Sequence, residues 1–375
     1  MLKIIPVESA AQRKTFMMLP WKIYKNDPHW VPPLLMDLKK MFNPKKHPFY
    51  EYGSMQLFLA YRGDEVVGRI AAVTNNRFDE YHVREEGKTG FFGFFECIDD
   101  QNVANALLDT AKKYLQDKDL AFMDGPASPS SNYEFGALSE GFDDAPRVMM
   151  SYNHAYYINL YENYGLPVVK TLYAYKIDAE TVFNNEKLKR GAELVKKRYN
   201  VELKPIDMKN LKEEVKKVKQ IYNKAWELNW GYVPLTDKEI DVMAEELKMT
   251  AEPKLMPFIY VNGNLAGMAI ATLDFNFLLK KINGRLFPFG IFTLLTQKRK
   301  IKWMRIILLG LLPEYRGKGL DAPLYYELVK NGMELGLTHA EGSWILEDNV
   351  EMNKGMEVVS AKVYKRYKVY EIPLK

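Results

Sequence analysis

IILLGLLPEYRGKGLDAPLYYELVKNG, residues 306–332, decides how the chain is read. Residues 306–312 form a short, almost unbroken apolar run, the pattern of a strand covered on both faces. Pro313 stops it, because proline has no N–H to give to a ladder. Arg316, Gly317, Lys318 and Gly319 follow, and the two glycines let a ligand approach the backbone closely. From Asp321 onward, Leu324, Tyr325, Leu328, Val329 and Met333 recur at helical spacing, so a helix starts where the glycines end. Free N–H groups and the positive end of the dipole at such a start suit a phosphate or pyrophosphate. Arg316 and Lys318 add positive charge. A nucleotide P-loop does not fit, since Gly319 is followed by Leu320 rather than Lys-Ser/Thr. A dinucleotide fingerprint fails at its third glycine, where Ala322 stands.

A chain of 375 residues has room for two domains or one large one. Its net charge of +5 permits an anionic cofactor or a lipid surface and does not call for nucleic acid; basic residues are scattered and acids nearly balance them. The single Cys97 excludes an internal disulfide and a multi-cysteine metal site, and it fits a reducing cytoplasm. No metal is expected. The opening MLKIIPVESAAQRK lacks an apolar core of signal-peptide length, and no apolar run is long enough to span a membrane.

Working outward, the chain reads as a repeat. Residues 56–62 and 65–75 form a hairpin turned at Gly63 and Asp64. A strand over 89–98, an amphipathic helix over 102–115 and a strand over 121–124 follow. The hairpin layout returns at 258–261 and 266–273 around Asn262, Gly263 and Asn264. Two units result, residues 1–180 and 181–375, joined through a lysine-rich stretch over 184–220 that reads as a linker with a solvated helical face. In the first unit Asp99 and Asp100 stand where a glycine loop would be needed, so that unit is read as degenerate for cofactor binding.

The glycine loop resembles the acyl-CoA-binding loop of GNAT-type N-acyltransferases, Arg/Gln-x-x-Gly-x-Gly/Ala after a strand. Arg316 and Gly319 match, and Asp321 replaces the last small residue. Nearly the whole chain resembles the bacterial ceramide synthase-like group related to that superfamily. The segments that carry this are HWVPPL (29–34), GFFGFFE (90–96), GPASPSSN (125–132), GFDDAP (141–146) with MMSYNHAYY (149–157), AWELNWGYVP (225–234), RLFPFG (285–290), RGKGLD (316–321) and EGSWILEDN (341–349). The resemblance implies an α/β protein of two fused GNAT-like halves, each a mixed, mostly antiparallel sheet flanked by helices. It implies acyl-CoA as co-substrate, held by Leu311, Leu312, Arg316, Gly317, Lys318, Gly319, Leu320 and Asp321. It also implies direct acyl transfer to an amine of sphingoid type. Ordinary members place a tyrosine seven residues beyond the asparagine here numbered Asn349, to protonate the thiolate; this chain has Met356. A GNAT acetyltransferase for a small soluble amine, and a non-catalytic acyl-CoA or lipid binder, stay open as alternatives.

Direct transfer to an amine needs a route for its proton and donors for the developing oxyanion. Glu341 and Glu347 are the candidate bases, with Asn349 at the same strand end; Glu341, Ser343 and Ile345 share one face by alternation. Asp274 and Asn276 suit a hydroxyl or ammonium of the acceptor, and Trp230, Trp344, Asn153 and Tyr157 are candidates for its walls. Residues 274–305 mix large apolar side chains with a basic fringe, a pattern able to lie in a lipid interface. The expected partner is a small-molecule or lipid amine. The expected setting is the cytoplasm, with peripheral contact at the inner face of the membrane and no nucleic acid.

Overall fold

The computed structural model describes residues 1–227 and 229–375, with side chains outside 246–250. The first half runs β1 (Leu2–Pro6), α1 (Ala10–Ile23), α2 (Leu35–Met41), β2 (Gly53–Arg62), β3 (Glu65–Asn75), α3 (Asn76–Tyr81), β4 (Thr89–Cys97), α4 (Gln101–Gln116) and β5 (Phe122–Gly125). Short strands β6 (Ala127–Ser128), β7 (Glu134–Phe135) and β8 (Ala137–Glu140) lead to α5 (Tyr156–Tyr164) and β9 (Val168–Asp178). Next come α6 (Ala179–Phe183), α7 (Glu186–Arg198), β10 (Val201–Pro205), α8 (Leu211–Trp226) and α9 (Asp237–Thr250). The second half continues with β11 (Pro257–Val261), β12 (Asn264–Leu273), α10 (Asn276–Ile282), α11 (Gly290–Gln297) and β13 (Trp303–Leu311). It closes with α12 (Asp321–Glu334), β14 (His339–Leu346), α13 (Val350–Val358) and β15 (Lys362–Pro373).

One sheet runs through both halves in the order β1-β2-β3-β4-β5-β15-β9-β14-β13-β12-β11-β10. All these neighbours are antiparallel except β4–β5 and β13–β14. That is the expected pair of mostly antiparallel halves. The closing strands are exchanged: β9 of the first half pairs with β14, β15 of the second pairs with β5, and β9 and β15 pair with each other at the centre. β9 is a strand beyond those expected from the sequence. The stretch expected as a linker is also structured, because α7 buries Leu188 and Ala192 and packs on α12 while its lysines face outward.

Apolar stripes set where the helices sit. Val103, Leu107, Ala111 and Leu115 of α4 are fully buried in the first half's core. Leu324, Leu328 and Val329 of α12 do the same in the second, against Met304, Ile306 and Ala340. Each such leucine or valine contributes roughly 1.5–3 kcal/mol on burial. Strand alternation then turns Arg305 and Glu341, the neighbours of Met304 and Ala340, to the opposite face of the sheet.

Candidate functional site

β13 and β14 stay paired only from Trp303 opposite His339 to Ile306 opposite Gly342. The β12–β13 register shifts between Ile270 and Ala271, which leaves Ile307 bulged. Beyond the bulge the two parallel strands part. Met304, Arg305 and Ile306 are buried, whereas Ile307, Leu308, Leu309 and Leu311 are only partly so. The expectation of a strand covered on both faces is corrected here: the apolar run lines an open wedge. Leu312 is buried and donates its N–H to the Ala266 carbonyl at 2.9 Å.

The glycine loop closes one end of this wedge. Gly317 and Gly319 have φ of 71° and 73°, the left-handed region in which a side chain is strained. Among the described residues the amides of Gly317, Lys318 and Gly319 donate to no backbone carbonyl, and α12 starts at Leu320 without a side-chain cap. These unsatisfied donors at a helix start fit a pyrophosphate. The charged side chains brace the loop: Arg316 Nη2 donates to the Ala225 carbonyl at 2.9 Å, and Lys318 Nζ to the Glu314 carbonyl at 2.7 Å. Leu320 is fully buried beneath them. Asp321 is turned toward α13, where its Oδ2 would lie 3.8 Å from a Cβ placed on Gly355. Burial, then Asp321, push the Tyr325 hydroxyl up in pKa.

On the other face of the sheet a polar cluster sits where β13 and β14 begin to part. Glu341 is fully buried. Ser343 Oγ donates to its Oε1 at 2.5 Å, and the Tyr364 hydroxyl, from the exchanged β15, donates to Oε2. Arg305 donates through Nε to Ser343 Oγ at 2.9 Å and lies 3.9 Å from Glu341 Oε1. Its Nη1 donates to the carbonyls of Val148 and Met149 at 2.9 and 3.2 Å. Asp274 pairs with Arg147 at 3.3 Å and accepts the amides of Val148 and Asn276 at 3.0 and 3.3 Å. Asn276 Nδ2 donates to the Pro146 carbonyl at 2.8 Å, and the Arg147 guanidinium lies 3.7 Å over the Trp303 ring. Residues 144–150 of the first half thus form a lid over the second half's sheet. Burial lifts the Asp274 carboxyl from 3.8 to about 6. It also raises the Tyr364 hydroxyl, with Glu341 the next cause, and lowers the Lys365 ammonium.

The remaining candidates lie elsewhere. Glu347 is exposed, accepts from the Tyr173 hydroxyl and lines a shallow pocket of about 230 Å³ with Lys170, Thr171 and Asp348. Asn349 is the N-cap of α13, its Oδ1 accepting the Met352 amide at 3.1 Å. Met356 is buried, with its sulfur 3.2 Å from where a Cβ on Gly342 would stand. Trp230 and Trp344 flank Phe135, ring centroids 5.9 and 6.0 Å away. Asn153 braces β8, accepting the Leu138 amide at 2.7 Å. Tyr157 is buried in the first half and donates to Glu96 Oε2 at 2.7 Å. Neither joins the Asp274–Glu341 cluster. Arg147, Trp303, Arg305 and Tyr364 join the cluster although none was a candidate from the sequence. Arg305 had a signal, a lone charge inside an apolar strand; Tyr364 had none, because the strand exchange brings it in.

The first half has the same parting strands. β4 and β5 pair only over Thr89, Gly90 and Phe91, and β4 bulges near Phe94. There β6 fills the gap: Ser128 Oγ accepts the Phe94 amide at 2.9 Å, and a Cβ on Gly93 would collide with the Ala127 carbonyl. Asp100 caps α4, accepting the amides of Asn102 and Val103 at 3.0 and 3.3 Å, and pairs with Arg62 at 2.6 Å.

Comparisons with known proteins place this geometry. No family model matches the chain. It is 33% identical over 381 aligned residues to a protein named bacterial ceramide synthase from Caulobacter vibrioides, covering 99% of this chain and 97% of that one. It is 30% identical to Protein YghO of Escherichia coli K12, over 96% of this chain and 92% of the relative. Among solved structures, a tandem GNAT protein from the clavulanic acid biosynthesis pathway superposes with a TM-score of 0.59 at 11% identity, covering 100% and 99% of the two chains. A GCN5-related N-acetyltransferase from Sphaerobacter thermophilus superposes with a TM-score of 0.55 at 10% identity, covering 100% and 96%. With relatives matched nearly end to end, this chain belongs to the bacterial ceramide synthase-like, YghO-type group, and its fold along the whole length is that of a tandem GNAT protein.

Proposed function

We propose that the chain is an acyl-CoA-dependent N-acyltransferase, that residues 181–375 bind the co-substrate, and that residues 1–180 do not. The observation that carries this reading is the open β13–β14 wedge ending on the uncapped glycine loop. Acyl-CoA, when bound, supplies a thioester carbonyl open to attack by an amine. The amides of Gly317 to Gly319 would hold its pyrophosphate, and the unpaired edge over 307–311 would take its pantetheine arm. The cluster at the mouth of the wedge then handles the acceptor. Glu341, poised by Arg305 and Ser343, would take the amine's proton through the Tyr364 hydroxyl as the nitrogen bonds to the thioester carbon. The C–S bond breaks, CoA leaves as the thiolate and takes a proton from solvent, and Asp274 with Asn276 would hold a hydroxyl or ammonium of the acceptor.

The acceptor in this reading is a sphingoid-type, long-chain amine. Support comes from the name of the Caulobacter relative and from the apolar α10–α11 insertion that begins beside Asp274. The protein would then work in the cytoplasm, in peripheral contact with the inner face of the membrane. One observation favours a second reading, a binder without catalysis: buried Met356 occupies the place of the family's acid. The test is a series of acyl-CoA chain lengths against sphinganine and against small amines, read by thiol release and by mass of the product. Amide formed from long-chain acyl-CoA and sphinganine is the expected result. Activity confined to acetyl-CoA and a small soluble amine would establish the general acetyltransferase instead, and binding without product would establish the binder.

A further inference from the structure

We infer that the α10–α11 insertion is a docking surface for a bilayer with anionic headgroups. This rests on the lipid reading above and deepens it by naming where the chain meets its lipid. Residues 275–302 contain seven lysines and arginines and no aspartate or glutamate, so this one stretch carries +7 while the whole chain carries +5. It also gathers exposed apolar side chains. Phe287, Phe289, Phe292 and Leu295 are 68%, 77%, 62% and 72% exposed, all within nine residues. Phe289, Phe292 and Leu295 are spaced three apart and therefore share one side of α11. Ile291 and Leu294 on its other side are only partly exposed, and Leu294 packs against the second half's core.

Six of the seven cations enter no ion pair among the described residues, and three of them, the exposed Arg285, Arg299 and Lys300, make no side-chain hydrogen bond there either. A soluble surface seldom leaves so many large apolar groups and unpaired charges of one sign side by side. The combination is that of an interfacial helix, whose aromatic side sinks to the acyl boundary while lysines and arginines meet lipid phosphates. No described helix is long and apolar enough to cross a membrane, so contact is at the surface. The insertion is also fixed in place. Trp21 Nε1 donates to Asn283 Oδ1 at 2.8 Å, and the Leu35 amide donates to the Gly284 carbonyl at 3.0 Å. It leaves the sheet after Asp274 and returns at Trp303, so both of its ends open beside the polar cluster.

Co-sedimentation of the full chain with vesicles tests this, using phosphatidylcholine alone and phosphatidylcholine with phosphatidylglycerol. The chain should pellet with the anionic vesicles and be released by salt. Combined Phe289→Ser, Phe292→Ser and Leu295→Ser should weaken that binding about tenfold or more, and so should combined Arg285→Gln, Arg299→Gln and Lys300→Gln. Both variants alter exposed side chains, and unchanged thermal midpoints and acyl-CoA affinity verify that they fold. Wild-type protein that ignores anionic vesicles, or variants that bind them like wild type, overturn the inference. So does light scattering that shows a dimer dissolved by the Phe292 variant, since a second copy is then the occupant. Vesicle binding without any acyl transfer would leave this surface standing and remove the enzymatic reading.

Discussion

At the start of α4, Asp100 accepts two amide N–H groups; at the start of α12 no side chain among the described residues accepts any. The same contrast holds between the strands. In the first half β6 lies in the gap beyond the β4 bulge and hydrogen-bonds to it, while in the second half Leu308, Leu309 and Leu311 are left partly exposed along theirs. Both halves inherit parting parallel strands followed by a helix. The fold alone therefore does not make a cofactor site. What makes one is the set of groups the chain leaves unsatisfied, and the first half has satisfied its own with a carboxylate and a two-residue strand.

The largest effect that sharpens this contrast is expected from Gly319→Asp. The substitution strains a left-handed position and puts a negative charge among the free amides. Acyl-CoA affinity should fall at least about 100-fold, or roughly 2.7 kcal/mol, in calorimetry. Unchanged affinity would move the cofactor elsewhere. Next is Tyr364→Phe, which removes the hydroxyl that meets Glu341. A roughly 100-fold loss of kcat with KM for acyl-CoA unchanged is the outcome expected of a proton route; a matching loss in acyl-CoA affinity would make Tyr364 a structural brace.

A third effect concerns pH. The Asp274 carboxyl is raised from 3.8 to about 6 by burial, so its protonated form is the one that favours the fold. That contribution is complete below pH 4 and is lost as pH rises through about 6. A shift of about two pKa units is worth roughly 3 kcal/mol between these limits. Urea unfolding at pH 5 and pH 8 should show a decline in wild type that Asp274→Asn lacks, and equal slopes would count against the assignment. The smallest effect comes from the closed half. Asp100→Ala should cost about 1 kcal/mol of stability through the lost cap and leave acyl-CoA affinity alone. Any loss of affinity would mean that the first half takes part in binding.

The features legible in the sequence were local ones. The strand, glycine loop and helix over 306–332 form a contiguous signal, and alternation alone put Glu341 and Ser343 on one face, where the structure joins them by a hydrogen bond. The hairpin repeat announced two halves in the same way. Asn349 carried a readable signal that pointed to another role, since an asparagine just ahead of a helix is a cap. What stayed hidden depends on distant segments. The lid over 144–150, the exchange of β9 and β15, and the arrival of Tyr364 at Glu341 all join residues that no short window contains together. Asn153 and Tyr157 looked like pocket walls because they are polar and aromatic, yet their partners Leu138 and Glu96 occupy them in the first half.

The central claim is that one wedge is open and the other closed, and calorimetric titration of the wild-type chain with a long-chain acyl-CoA tests it most directly. The account predicts one molecule bound per chain, with binding lost in Gly319→Asp and kept in Asp100→Ala. Two molecules per chain, or one that survives Gly319→Asp, would contradict it.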